Sequence, residues 1–190
     1  LFTFDTFDER GLTMLDQQIP NIPWRQLTTP YGRGTAIPKL IEQEQYTQLA
    51  ELIEHQGTLW QVTPWVLLVL LKKLTRKKLE VVSLQEVQLY LAVAHAITKD
   101  YLDPVNTVKN MQELLDVNYL WIENEDNDEQ EWEKETPKGY EEQAFVGYYY
   151  YSYMLLQEVV PIFSTITARN NEAAECLAEL LTLLRNPTIK

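Results

Sequence analysis

The sequence is poor in the residues that carry most site chemistry: of 190 residues, 1 is cysteine and 2 are histidine. The lone thiol, Cys176, excludes an intramolecular disulfide framework and a cysteine-cluster metal site, and it fits a reducing compartment. Glycine and proline number 6 and 9, too few for a collagen-like or wholly disordered chain. Long hydrophobic runs are missing as well. The longest aliphatic run, Val66 to Leu71, is far short of a membrane span. The opening residues LFTFDTFDER carry acids where a signal peptide carries bases, so no leader is expected. Positive charge is scarce too. Against 28 Asp and Glu stand 16 Lys and Arg, a net charge of −12. That balance argues against a nucleic-acid or anionic-membrane binder and favours attraction to something basic.

The negative charge is unevenly placed. Residues 1–99 are neutral overall, so residues 100–190 hold the whole excess. Glu123 to Glu142 alone contains ten acids against Lys134 and Lys138. Apolar residues make up 45% of the chain, and the length suits one domain, or a compact two-lobed one, with a real core.

Residues 1–35 read as an irregular N-terminal arm packed on the body. Phe2, Phe4 and Phe7 alternate, Pro20, Pro23 and Pro30 oppose long helix, and Trp24 and Leu27 pin the arm. From residue 36 to 190 the pattern is helical. A short helix over 37–43 carries Pro38 in its first turn. A second spans 44–55, with His55 in its last turn and Gly57 as a left-handed cap. Thr63-Pro64 opens an apolar helix over 64–75 that must be central. Ser83 and Glu86 form a capping-box pattern for a helix to Lys99. Asp103-Pro104 opens another to Val117. An acidic connection fills 121–140. A long helix over 141–167, bent at Pro161, and a last one over 171–184 complete six or seven helices with no βαβ alternation. The fold class is all-α.

Three segments resemble a bacterial HEAT-like helical-repeat family: Trp24 with Tyr31-Gly32 and Ile37-Pro38, then Leu52 to Thr58 reading LIEHQGT, then Thr63-Pro64 and its leucine-rich helix. The match covers about residues 20–75. The resemblance implies antiparallel helix pairs that bury apolar faces against neighbours and present a surface to another macromolecule. Some family members look like immunity proteins encoded beside secreted toxins.

Catalytic motifs are missing: HExxH, GxSxG and Walker patterns do not occur, and Gly32-Arg33-Gly34 is too short to cradle phosphate. His55 reads as a helix-end histidine or a catalytic group, and His95, between Ala94 and Ala96, as a core histidine or a ligand. Cys176 reads as a small buried hydrophobe. Lys72, Lys73, Arg76, Lys77 and Lys78 form a solvated helix terminus or a nucleic-acid patch, and the overall charge opposes the second.

Two features suggest contact with a partner. Tyr148, Tyr149, Tyr150, Tyr151 and Tyr153 cannot all face one side of a helix, so Tyr148, Tyr149 and Tyr151 become candidate contact residues beside the packing alternative. The acidic run has three readings: a solvated connection, a calcium loop that lacks the required glycine, or a docking surface. Docking is favoured because Trp121, Ile122 and Trp132 lie within or beside Glu123, Glu125, Asp126, Asp128, Glu129, Glu131, Glu133 and Glu135. The function expected is therefore a non-enzymatic, cytoplasmic immunity protein. It would occlude the basic groove of a secreted bacterial toxin, without cofactor or metal, nucleic acid or membrane. A helical-repeat scaffold for another intracellular partner is the alternative, and an enzyme using carboxylates or His55 is the third reading.

Overall fold

The structure, a computed structural model, describes residues 14–16, 21–167 and 169–188. Phe2, Phe4, Phe7 and Pro20 of the expected arm lie outside them. Helical spacing becomes helix along most of the rest: α1 (Ile37–Glu42), α2 (Tyr46–Ile53), α3 (Thr63–Leu74), α4 (Leu84–Ala96), α5 (Asp128–Trp132), α6 (Glu142–Glu158), α7 (Val160–Thr167) and α8 (Ala174–Arg185). Two antiparallel hairpins interrupt them. Strand β1 (Thr28–Thr29) pairs with β2 (Gly32–Arg33), and β3 (Glu54–His55) pairs with β4 (Thr58–Leu59). The chain is thus mostly helical.

Helix α3 is the centre. Nine of its twelve residues are buried, as a helix apolar on nearly every side requires. It packs on α6, while α4 packs on both α2 and α8, and α7 on α8. The main partners of α3 and α4 are therefore distant in sequence. Ser83 caps α4 as expected, its Oγ accepting from the Glu86 N–H at 3.1 Å. The expected bend falls at Val159, between α6 and α7. Val159 alone leaves the helix, and Pro161 falls in the first turn of α7, where its missing N–H breaks no helical bond.

Four sequence expectations are corrected. First, the second helix stops at Ile53, and His-Gln-Gly-Thr is a hairpin rather than a helix end. Gln56 (φ 51°) and Gly57 (φ 78°) form its two-residue turn, the left-handed pair such tight hairpins need. Gly57 is left-handed as expected, but it turns a hairpin instead of capping a helix. Second, residues 103–117 are not one helix. The Asp103 carboxylate accepts from Val105 N–H, and Asn110 caps a short 3-10 turn over Met111–Leu115. Such local side-chain bonds compete with helix propagation, and Val105 is 82% exposed.

Third, His95 is exposed and pairs across α4 and α8 with Glu179 at 2.8 Å, so it is not a core histidine. Fourth, the tyrosines enter the core. Tyr148, Tyr149, Tyr151 and Tyr153 are all buried, because α6 is covered on several sides and each hydroxyl reaches a different backbone group. Tyr148 donates to Gly139 O, Tyr151 to Val108 O at 2.7 Å and Tyr153 to Leu184 O at 3.0 Å. Tyr149 accepts from Leu59 N–H at 3.1 Å. A buried phenol with a partnered hydroxyl has no polar penalty left to settle.

Candidate functional site

Around the acidic segment the chain builds a polar seam and an aromatic cluster. Gln61 is fully buried just before α3. Its carbonyl oxygen accepts from the Thr28 N–H at 3.0 Å and from the Thr28 hydroxyl at 2.7 Å. Its amide donates to Tyr119 O at 2.7 Å. The Tyr140 hydroxyl shares the Thr28 hydroxyl. This seam ties the first hairpin to the chain on both sides of the acidic segment.

Over the seam lie the rings. Trp121 and Trp132 stand 4.5 Å apart at their centroids, and Trp132 also meets Trp60 at 6.2 Å and Tyr140 at 5.7 Å. Trp132 reaches this cluster because Glu125–Asn127 forms a 3-10 turn that runs into α5. Asn124 starts that turn by accepting from Asp126 N–H, a local capping bond. Edge-to-face and tilted ring pairs of this kind add about 0.5–1.5 kcal/mol each beyond area burial.

The carboxylates divide into two groups. Asp128 faces inward: both its oxygens accept from the Arg33 guanidinium, at 2.6 and 3.0 Å, and one also accepts from the Trp121 indole N–H at 3.0 Å. The Arg33 hydrogen bonds hold this carboxyl below the usual range, against its partial burial. Glu131 is buried. It accepts from Lys134 Nζ and from the Lys138 N–H. Burial opposes its charge, but these donors win and its pKa is lowered. For both groups the folded state favours the ionised form, so their contribution to stability is present at neutral pH and lost as acid protonates them. Glu123, Glu125, Asp126, Glu129, Glu133 and Glu135 form the second group, all exposed. Among the described residues only Glu125 of these six is ion-paired, with the exposed Arg25 at 2.8 Å.

The expected contact set is therefore corrected in part. Trp121, Glu131, Tyr148, Tyr149 and Tyr151 are buried, where no partner can touch them without the protein opening. Asp128 is engaged by Arg33 and Trp121, and Trp132 is half-buried in the ring cluster. Glu123, Glu125, Asp126, Glu129, Glu133 and Glu135 stay on one outward-facing segment.

Sequence reasoning missed Arg25, Arg33, Gln61 and Trp60. Arg25 and Arg33 carried a signal: they are the only bases between Arg10 and Lys39, and both pair with the acidic segment. It also missed Tyr31. At the tip of the first hairpin, Tyr31 is 67% exposed, with its ring edge-on to His55 at 5.6 Å.

Among the described residues no three His, Cys, Asp or Glu side chains are gathered as metal ligands would be. No described helix is long and apolar enough to cross a membrane. The chain matches no family model, no curated protein and no solved structure.

Proposed function

We propose that this chain is a non-enzymatic cytoplasmic protein that binds a basic protein partner, most specifically an immunity protein that occludes the positively charged active-site groove of a cognate bacterial toxin. The observation that carries this reading is the row of exposed carboxylates, Glu123, Asp126, Glu129, Glu133 and Glu135, on a segment tied to the body through Asp128 and braced internally by Glu131. Negative charge held in fixed geometry attracts a basic groove over a Debye length of about 8–10 Å and speeds encounter. Fixing it in advance also lowers the ordering cost of association. Tyr31 supplies an exposed aromatic contact on the hairpin whose Arg33 grips Asp128.

The helical body behind this surface is read as HEAT-like. Trp24, Tyr31-Gly32, Ile37-Pro38 and His55 to Thr58 support that part of the proposal. The test is affinity capture from the native host, with wild type and the Glu123→Gln, Asp126→Asn, Glu129→Gln, Glu133→Gln variant in parallel. A basic protein recovered by wild type and lost from the variant supports the reading. Equal recovery by both overturns it.

A further inference from the structure

We propose that residues 121–138 form a strap whose one two-pronged polar tie to the body is the clasp of Arg33 on Asp128, and that breaking the clasp lets the strap open as a unit while the helical body stays folded. The two helical turns of the strap, Glu125–Asn127 and α5, pack chiefly against each other. Their hold on the body comes from side chains. The Arg33 side chain is only 6% exposed. Its guanidinium grips both Asp128 oxygens and donates a further hydrogen bond to Arg25 O at 2.9 Å.

The other ties are the exposed Arg25–Glu125 pair, the hydrogen bonds between Gln26 and Trp121 at the strap's start, and the Trp132 ring against Trp60 and Tyr140. Asp128 is also the group that orients Trp121, so the clasp and the ring cluster depend on one carboxylate. Within the strap, Asn124 caps Asp126, and Glu131 binds Lys134 and the Lys138 N–H. The two turns of the segment are therefore tied mainly to each other and meet the body through the Arg33 clasp and the rings, the pattern of a cooperative unit less stable than the helical core.

The consequence for binding rests on the docking reading above: the clasp would preorganise the exposed carboxylates, making Arg33 a positioning residue that need not touch the partner. The opening itself is read without any partner, by amide hydrogen exchange on the full chain at neutral pH. In Arg33→Met and in Asp128→Asn, the amides of Trp121, Glu133 and Lys138 should exchange about tenfold faster or more. Those of Leu70 and Leu71 in α3 should keep their wild-type rates. The double variant should add little to either single one, since both remove the same contact. Arg33→Lys keeps the charge but loses the two-pronged grip, so it should give an intermediate acceleration confined to the strap. Unchanged strap amides in Arg33→Met and Asp128→Asn would overturn the proposal. So would an Arg33→Lys variant that accelerates α3 as much as the strap. Faster strap exchange with undiminished partner affinity would leave the strap standing and remove the docking reading.

Discussion

Gly57 and Gly139 both have positive φ, 78° and 86°, yet a methyl group added to each would meet different surroundings. At Gly57 nothing lies within 4 Å, so alanine there costs only backbone strain, about 1–2 kcal/mol. At Gly139 the new carbon would fall 1.7 Å from the Gln61 amide nitrogen and 2.6 Å from Tyr119 O. That amide is held from both ends by Thr28 and Tyr119 and cannot swing away without breaking the seam. Gly139→Ala should therefore cost about 3 kcal/mol or more, well beyond Gly57→Ala. Denaturant titrations of the two variants decide it; equal losses would show that the seam around Gln61 is not rigid.

At the scale of elements, the basic run after α3 shows how a charge cluster can hide a structural role. Lys77 reads in sequence as one of several solvated cations, and Glu86 as a capping-box residue. In the structure Ser83 does cap α4, but the Glu86 side chain turns to Lys77 at 2.9 Å and accepts from Tyr90 at 3.0 Å. Lys77 also reaches Glu44 and the Tyr46 hydroxyl, joining α2, the end of α3 and the start of α4. Burial disfavours its charge, but the hydrogen bonds it donates to Glu86 and Tyr46 outweigh this and raise its pKa. Lys77→Met leaves Glu86 buried without its cation, so it should cost about 3–5 kcal/mol. Adding Glu86→Gln should restore at least about 1 kcal/mol, because the stranded charge goes. Thermal or denaturant unfolding of single and double variants checks this; no recovery in the double variant would contradict it.

The same scale shows what could be read in advance. The helices α1 to α4, α6 and α8 follow from apolar spacing and from Pro38, Pro64 and Ser83. Long-range facts did not follow: which helix covers the tyrosines, which cation meets Asp128, and that local bonds from Asp103 and Asn110 break a helical pattern. The exposed carboxylates were legible as a charge run. Their anchoring was not, because Arg33 lies 95 residues from Asp128.

For the whole molecule, the net charge of −12 is concentrated in the second half, and part of it is used internally. Asp128 anchors the segment on Arg33 and Glu131 braces it internally, while Glu123, Asp126, Glu129 and Glu133 face outward. The most direct measurement is the association rate of the captured basic partner with wild type and with the Glu123→Gln, Asp126→Asn, Glu129→Gln, Glu133→Gln variant, across a range of ionic strength. Asp128 and Glu131 stay untouched, so the fold is preserved and checked by unchanged melting. Wild-type association should fall steeply as salt rises, and the variant should associate about tenfold more slowly at low salt with a flatter dependence. Identical rates and identical salt slopes for the two proteins would contradict the account.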